Sequence, residues 1–169
     1  MKSTTTVGTE HSALAKSTNL PISTKHCVEI SHCLRYKTVS YAKKFLQEVV
    51  NIERAVPFRR FTRNVGHKAG MASGRFPSKA AREFLRVISS AEANAQVKGL
   101  NASALTIIKL VANRAPTPRT GGRQRYSTHR THLEVVLAER KVKTQRDTLT
   151  KKTKPAAAQP TKAPKSKIA

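Results

Sequence analysis

The hydrophobic positions between residues 77 and 99 recur three or four residues apart, which is the spacing of a helix that buries one face. Pro77 and Ser78 suit the first turn of a helix, and Gly99 suits the position that ends one. We therefore predict a helix from Pro77 to Gly99. Its small side chains would let a packing partner approach closely, which predicts a central place in the domain. The apolar stripe consists of Ala81, Phe84, Ile88, Ala91 and Ala95.

A second helix is predicted over Thr38–Asn51, which reads "TVSYAKKFLQEVVN". Thr38 has the side chain of a helix N-cap, since its hydroxyl can accept a hydrogen bond from an amide of the first turn. The predicted inner positions are Val39, Ala42, Leu46 and Val49, and Phe45 widens the stripe.

The stretch "KHCVEISHCLR" at residues 25–35 fits two patterns. Cys27, Ile30 and Leu34 would share one face of a helix, whereas Val28 and Ile30 would share one face of a strand. The pattern alone leaves both open. Just before it, "NLPIS" at residues 19–23 could form a short edge strand, where a proline is tolerated.

Two strands are predicted after the long helix, at Leu105–Val111 and His132–Ala138. The simplest connection is an antiparallel hairpin, residues 104–138, which turns near Gly121 and Gly122. An extended arm of this length would reach ~55 Å. A domain of this size has a radius of gyration near ~14 Å, so the hairpin would protrude. Leu133, Val135 and Leu137 would face the core.

Both ends of the chain differ in composition from the middle. Residues 1–18 are rich in Ser and Thr, and residues 143–169 are rich in Lys, Pro and Ala, so we predict two disordered tails around a domain at 19–142. The predicted fold class is α+β: three helices packed on a small antiparallel sheet, with a long protruding β-hairpin and disordered basic tails.

The charge of the chain points to a polyanionic partner. The sequence has 33 Lys and Arg against nine Asp and Glu, a formal net charge of +24. Nucleic acid is the favoured partner, because phosphate contacts release counterions whatever the base sequence. A membrane surface is the alternative. However, no apolar run approaches the ~20 residues of a spanning helix, and the start of the chain has no apolar signal region.

Two segments concentrate the charge. The stretch "RAPTPRTGGRQRYSTHR" at residues 114–130 has five arginines and no acid, and "VPFRRFTRNVGHKAG" sets basic residues between Phe58 and Phe61. A guanidinium fork suits phosphate oxygens and can stack on unpaired bases. The alternative is that both segments are solvent-exposed loops with no role in binding. At Arg75 and Lys79 an exposed first helical turn is an equally good explanation. The predicted RNA-binding residues are Arg59, Arg60, Arg63, Lys68, Arg75, Lys79, Lys109, Arg114, Arg119, Arg123, Arg125, Tyr126, His129 and Arg130.

The sequence gives little support for a catalytic site or a metal site. Asp147 is the only Asp, and the stretch at residues 114–130 has no acid that could orient His129. The "HC-x4-HC" pattern at residues 26–33 suits chelation poorly, because neighbouring helical side chains point about 100° apart, and it lacks zinc-site spacing. We expect no enzyme activity, no metal, no cofactor and two free thiols, Cys27 and Cys33.

Four motifs in order resemble one family. "AVPFRRFTRNVGHKAG", "SGRFPSKAAREFL", "SSAEANAQVKGLN" and "VANRAPTPR…HLEVVLAE" resemble the universal ribosomal large-subunit protein family number twenty-two, in its archaeal and eukaryotic branch (number seventeen in the older eukaryotic naming). The resemblance covers residues 19–141. Phe76 stands where the family commonly has Trp.

The resemblance implies a helix at residues 25–35 and a structural, RNA-binding role in the large subunit, with support of its assembly. It implies that the hairpin lines the nascent-peptide exit tunnel. The implied partners are large-subunit rRNA, neighbouring ribosomal proteins and the nascent polypeptide, for a monomer within a cytoplasmic ribosome without membrane insertion. A non-ribosomal RNA- or DNA-binding architectural protein is the alternative. The implied tunnel-lining tip comprises Thr117, Arg119, Thr120, Gly121, Gly122 and Arg123.

Overall fold

The computed structural model describes residues 11–121 and 126–139, which form three α-helices, a short 3-10 helix at Ala102–Ala104 and eight strands within that part of the chain. The helices are α1 (Thr24–Leu34), α2 (Val39–Val50) and α3 (Ser78–Val97). The strands are β1 (Ser12–Leu20), β2 (Val56–Pro57), β3 (His67–Lys68), β4 (Met71–Arg75), β5 (Leu105–Arg114), β6 (Arg119–Thr120), β7 (Tyr126–Ser127) and β8 (Thr131–Glu139). The α+β class is confirmed.

The main sheet has the order β1-β8-β5, and both pairings are antiparallel. Leu133, Val135 and Leu137 of the central strand β8 are buried, as the alternating pattern predicts. Strand β5 continues to Arg114, beyond the predicted end at Val111, and pairs there with Thr131. The apolar root of the hairpin is therefore part of the core sheet.

Strand β1 corrects the predicted N-terminal tail. Disorder over residues 1–18 is wrong for residues 12–18, which belong to β1, and residues 12–17 of this strand pair with β8. The inward residues are the small Ala13 and Ala15, so the strand lacks the large apolar side chains that mark a strand in sequence. Asn94 of α3 and Lys98, which follows the helix, donate hydrogen bonds to carbonyls of β1 at 3.0 and 2.8 Å. The predicted edge strand at residues 19–23 exists only as far as Leu20.

The ambiguous stretch at residues 25–35 is helix α1, so the strand alternative is wrong. Cys27, Ile30 and Leu34 are buried on one face, as the helical alternative predicts. A charged residue, Glu29, is buried with them. The loop that explains this burial is distant in sequence, and it forms part of the candidate site.

Helices α2 and α3 pack against each other and complete the core. The predicted stripes of both helices are buried throughout. The Thr38 hydroxyl accepts a hydrogen bond from the Tyr41 amide at 3.4 Å, which confirms the predicted N-cap. An ion pair between Lys43 and Glu92 joins the two helices. None of the described helices is both long and apolar enough to cross a bilayer.

A small second sheet with the order β2-β4-β3 precedes α3 and was not predicted. Two of its strands have only two residues each, too short for a hydrophobic pattern. Beyond the root of the hairpin, β6 and β7 pair Arg119 with Ser127 and Thr120 with Tyr126. The predicted turn lies partly outside the described residues. Gly121 is described and has a φ of 99°, which favours glycine.

Candidate nucleic-acid interface

The loop at residues 58–63 is held from beneath by one buried carboxylate. Glu29 of α1 is 0% exposed. Its Oε2 accepts a hydrogen bond from the Arg59 amide at 3.1 Å, and its Oε1 accepts from the amides of Arg60 and Phe61, both at 2.8 Å. Phe58 is buried, and its amide donates to the Ser73 carbonyl at 2.9 Å. The backbone of the loop is thereby fixed to the core.

This arrangement leaves the arginine side chains unneutralised by the acid beneath them. The carboxylate binds three backbone amides, and charge-assisted bonds of this kind are the stronger ones. Arg59 and Arg60 are exposed on the outer side of the loop. A buried acid thus fixes the course of a basic loop.

Beside the loop lies a cleft of about 370 Å³, here called the loop cleft. Three of the predicted RNA-binding residues, Arg60, Arg63 and Arg75, line it together. Two residues of α1 that the sequence analysis missed, Lys25 and His26, line it as well. None of the lining residues is acidic, so the cleft has the electrostatics of an anion site. Its lining comprises Lys25, His26, Phe58, Arg60, Phe61, Thr62, Arg63, Val65 and Arg75.

Phe61 organises two of the cations around its ring. The Lys25 ammonium lies 5.9 Å and the Arg60 guanidinium 5.4 Å from the ring centroid, both within cation–π range. Arg75 is oriented differently, by a 2.9 Å hydrogen bond that it donates to the Asn64 carbonyl. The ring and the carbonyl hold the charged groups at the cleft before any ligand binds.

His26 is the titratable member of this cleft. Burial lowers its pKa, and the positive charge of Arg75 lowers the pKa further. The imidazole packs edge-on against Phe58 at a centroid separation of 5.6 Å. A lowered pKa keeps His26 neutral at pH 7, so the charge of the cleft comes from its lysine and arginines.

Of the predicted residues that precede the hairpin, Arg59, Lys68 and Lys79 lie outside the lining of the loop cleft. Lys68 is exposed on β3, with its ammonium 5.3 Å from the ring centroid of Phe76. Phe76 thus offers an aromatic face beside this lysine. Lys79 is exposed in the first turn of α3. A predicted residue of the loop, Arg59, lines a different cleft.

Some of the predicted hairpin residues already bind other groups of the protein, whereas others are exposed. Lys109 pairs with Glu134 on the neighbouring strand at 3.0 Å, so its charge is partly neutralised. Arg130 donates to the Asn19 carbonyl at 3.0 Å, and its buried Nε has no partner among the described residues. Arg114, Arg119 and His129 are exposed.

The tip is described only in part. Gly122, Arg123 and Arg125 lie outside the described residues, and of Thr120 and Tyr126 only the backbone pairing is described. Thr117 is half-buried. It lies in a shallow cleft with Pro116, Pro118, Asn19 and Arg130, where the outer hairpin meets β1.

The two thiols lie on the same helix as the loop anchor. Cys27 is buried and Cys33 is half-buried, and both are free. Burial raises the pKa of Cys27 to about 12, and burial also raises that of Cys33. Among the described residues no three potential metal ligands cluster.

The fold and these surfaces define an α+β protein that carries exposed cations on a core-anchored loop and on a hairpin. Comparison with known proteins identifies the family. The sequence profile of the family described as Ribosomal protein L22p/L17e matches residues 15–138. The chain belongs to this family, and the resemblance noted in the sequence is confirmed.

Proteins named large ribosomal subunit protein uL22 are among its relatives. The one from Methanoculleus marisnigri is 39% identical over 143 residues, which cover 79% of this chain and 94% of the relative. The one from Methanopyrus kandleri is 43% identical over 141 residues, covering 78% and 89%. The one from Cenarchaeum symbiosum is 43% identical over 126 residues, covering 70% and 83%.

Proposed function

We propose that the chain is a structural protein of the large ribosomal subunit that binds large-subunit rRNA through the loop cleft and the hairpin and supports assembly. The family makes it a structural protein and not an enzyme. The observation that carries the RNA-binding part is the anchoring of a basic loop by Glu29, which is 0% exposed and accepts three backbone hydrogen bonds.

A fixed loop favours RNA binding for an energetic reason. Ordering a flexible arginine on binding costs conformational entropy, which lowers the affinity gained from each phosphate contact. Here the hydrogen bonds to Glu29 and the ring of Phe61 hold Arg60 before RNA arrives. The loop cleft therefore offers phosphate oxygens a preformed cationic surface.

The hairpin supports the second part of the proposal, in which its tip lines the nascent-peptide exit tunnel. Its root is anchored in the main sheet through β5 and β8, and its outer part, β6 and β7, pairs with itself. An arm whose outer strands are not part of the core sheet can extend into RNA. Lys109 and Arg130 contribute mainly to the root, because Glu134 and the Asn19 carbonyl bind them.

The partners in this proposal are rRNA, neighbouring ribosomal proteins and, at the tip, the nascent polypeptide. The chain acts as a monomer within a ribosome of the cytoplasm. The relatives' shared name and the family match support assembly into the large subunit, and the basic tip supports contact with RNA along the tunnel.

Site-specific photo-crosslinking tests the proposal. A crosslinking side chain is placed at Thr117 in the full chain, and at Ile52 as a control that is 64% exposed and far from the hairpin in sequence. We expect both variants in purified large subunits. In translating ribosomes the Thr117 variant should crosslink to rRNA and to nascent chains, and the Ile52 variant should not reach nascent chains.

The ribosomal role and the tunnel role are tested by different outcomes. Absence of the chain from large subunits would contradict the ribosomal role and favour a free RNA-binding protein. Presence in the subunit without nascent-chain crosslinks from Thr117 would contradict the tunnel role alone.

A further inference from the structure

A second cleft adjoins the loop that Glu29 holds, since Arg59 of that loop lines it. It is here called the Tyr41 cleft, has a volume of about 370 Å³ and is lined at its basic and aromatic parts by Arg35, Lys37, Tyr41, Phe45, Arg54 and Arg59. His32 and Cys33 also line it, whereas Lys25 and His26 line the loop cleft, so the two clefts lie toward opposite ends of α1.

We propose that the Tyr41 cleft binds one unpaired RNA nucleotide, with the base stacked on Tyr41 and Arg54 and the phosphate held by Lys37 and Arg59. This inference rests on the proposed RNA-binding function and adds a second, chemically distinct contact to it. The loop cleft would hold phosphates, and the Tyr41 cleft would hold a base as well.

Arg54 is the first support, because its guanidinium plane is fixed. It donates to Glu48 Oε2 at 3.2 Å and to the Tyr41 hydroxyl at 3.4 Å. Its central carbon lies 4.9 Å from the ring centroid of Phe45 and 5.9 Å from that of Tyr41. The side chain is still 48% exposed, so a base has a surface on which to stack. Arginine planes and aromatic rings are the surfaces on which proteins stack unpaired bases.

Tyr41 provides the ring. Tyr41 lies outside the buried stripe of α2 and is 39% exposed. Its ring stacks on that of Phe45 at a centroid distance of 6.2 Å. The Lys37 ammonium lies 5.8 Å from the Tyr41 centroid. Lysine is a flexible point charge. A base that stacks on the Tyr41 ring would displace the Lys37 ammonium toward the phosphate of the same nucleotide.

The charge of the cleft selects an anion. Four of the lining side chains are cationic at neutral pH, Arg35, Lys37, Arg54 and Arg59, and none of the lining residues is acidic. Arg35 donates to the Leu110 carbonyl at 3.1 Å and so is committed to the fold. Arg59 is exposed, and Glu29 binds its backbone rather than its side chain. The loop therefore directs Arg59 to this cleft and Arg60 to the loop cleft.

The rings distinguish an unpaired nucleotide from duplex RNA. In an A-form duplex the base faces are stacked on one another, and proteins contact phosphates and 2′-hydroxyls instead. A cleft that served only duplex phosphates would gain nothing from Tyr41. Stacking of a base on an aromatic side chain contributes ~1–3 kcal/mol and tolerates any base.

The test uses the full chain with two probes, an oligouridylate and a blunt RNA duplex of equal length, at one salt concentration. The variants are Tyr41→Ala, Tyr41→Phe and Arg54→Lys. Arg86→Ala is the matched control, because Arg86 also pairs with a carboxylate, Glu83 at 3.5 Å, on the exposed face of α3. Thermal melting of each variant verifies that it is folded.

We expect Tyr41→Ala to weaken oligouridylate binding about 5- to 150-fold, the range that corresponds to one stacked base. Tyr41→Phe retains the ring and should bind nearly as tightly as the unaltered chain. Arg54→Lys retains the charge but not the plane, and should lose affinity for oligouridylate. Duplex binding should be unchanged in all three, and Arg86→Ala should change neither probe.

A measurement at the Tyr41 cleft itself distinguishes RNA bound there from RNA bound to basic residues elsewhere in the chain. Cys33 lines the Tyr41 cleft, whereas Cys27 is fully buried. Bound oligouridylate should slow alkylation of Cys33, and the duplex should not. Equal losses of both probes in Tyr41→Ala, or an unprotected Cys33, would overturn the inference.

The loop-cleft variant Arg60→Ala/Arg63→Ala separates this inference from the proposed function. If it weakens both probes while Tyr41→Ala weakens neither, the Tyr41 cleft is not a nucleotide site and RNA binding at the loop cleft stands. If neither variant changes binding to either probe, the proposed RNA-binding surface itself is wrong.

Discussion

Glu29 accepts a hydrogen bond from the backbone amide of Arg60 at 2.8 Å, and leaves the guanidinium of that residue to the loop cleft. In a chain with a net charge of +24, an acid would be expected to neutralise a neighbouring arginine. This one instead fixes the backbone that carries the arginines. One buried carboxylate therefore fixes the loop in the fold and, in the proposed function, positions its arginines for RNA.

Replacing Glu29 should therefore destabilise the fold. We expect Glu29→Gln to lower the free energy of unfolding by ~1.5–3 kcal/mol, because charge-assisted bonds to buried amides are lost. The new carboxamide would also turn a donor toward the amides of Arg59, Arg60 or Phe61. Urea denaturation measures the difference.

Glu53 offers the control for this prediction. It is exposed and close to α2, and Glu53→Gln makes the same change of charge. Surface changes of this kind stay within about 0.5 kcal/mol. Equal stabilities of Glu29→Gln and Glu53→Gln would show that the anchor contributes nothing.

The buried thiol of Cys27 predicts a loss of stability at alkaline pH. Its pKa in the folded chain is raised by burial to about 12, above the ordinary value of 9.0. The unfolded chain thus loses this proton first, and the contribution of the thiol is fully present below pH 9.0 and is lost as pH rises toward about 12. In Cys27→Ala this part of the pH dependence should be absent.

Urea denaturation of the unaltered chain and of Cys27→Ala, at pH values on both sides of 9.0, measures this effect. Lysines and tyrosines titrate in the same range, but they contribute equally to both proteins. The free-energy difference between the two proteins should shrink as pH rises. A difference that stays constant would mean that the thiol ionises equally in the folded and unfolded chains.

The root of the hairpin should be essential to the fold. Leu133 is 1% exposed on the central strand, and Leu133→Ala should lower the free energy of unfolding by ~2–5 kcal/mol through lost burial and a cavity. Leu14→Ala on β1 is a useful comparison, because Leu14 is 44% exposed and its loss should cost far less. Similar losses would mean that β8 is not the centre of the core.

The outer hairpin should be dispensable for folding. A variant in which residues 116–126 are replaced by an Asn-Gly turn removes β6 and the first residue of β7 and keeps the buried Ala115. Since shortening a surface loop changes the closure entropy little, the melting temperature should stay within a few degrees, measured by thermal denaturation.

In large subunits the same variant should alter the reactivity of tunnel RNA bases and the pausing of nascent chains. Chemical footprinting and a pausing assay measure these effects. A variant that fails to fold would place the outer hairpin in the core, and unchanged tunnel reactivity would contradict the tunnel role.

Helix α3 and strand β1 show how much of the fold the sequence could predict. The stripe from Ala81 to Ala95 has a helical period over many residues, so local pattern and tertiary burial agree. Strand β1 buries only small residues such as Ala13, and its strand state depends on pairing with β8, which is far along the chain. Local composition therefore pointed to a tail.

The sequence predicted that the site is basic, but it did not predict which residues the fold brings together there. The arginines of the loop were recognised because they cluster in sequence, whereas Lys25 and His26 belong to a helix that reaches the cleft only through the fold. Glu29 offered one local signal, an acid within the buried stripe of α1. Its partners, 30 or more residues away, could not be inferred from that signal.

The salt dependence of binding to a large-subunit rRNA fragment tests the central claim most directly. If six to ten phosphates are contacted, affinity should fall ~10³–10⁵-fold between 50 and 200 mM salt. The double variant Arg60→Ala/Arg63→Ala should reduce the slope of log affinity against log salt by about 1.4–1.8, since each lost phosphate contact removes ~0.7–0.9. The matched control, Arg82→Ala/Arg86→Ala on the exposed face of α3, should reduce it less. A flat salt dependence, or the same slope in the double variant as in the unaltered chain, would contradict the account.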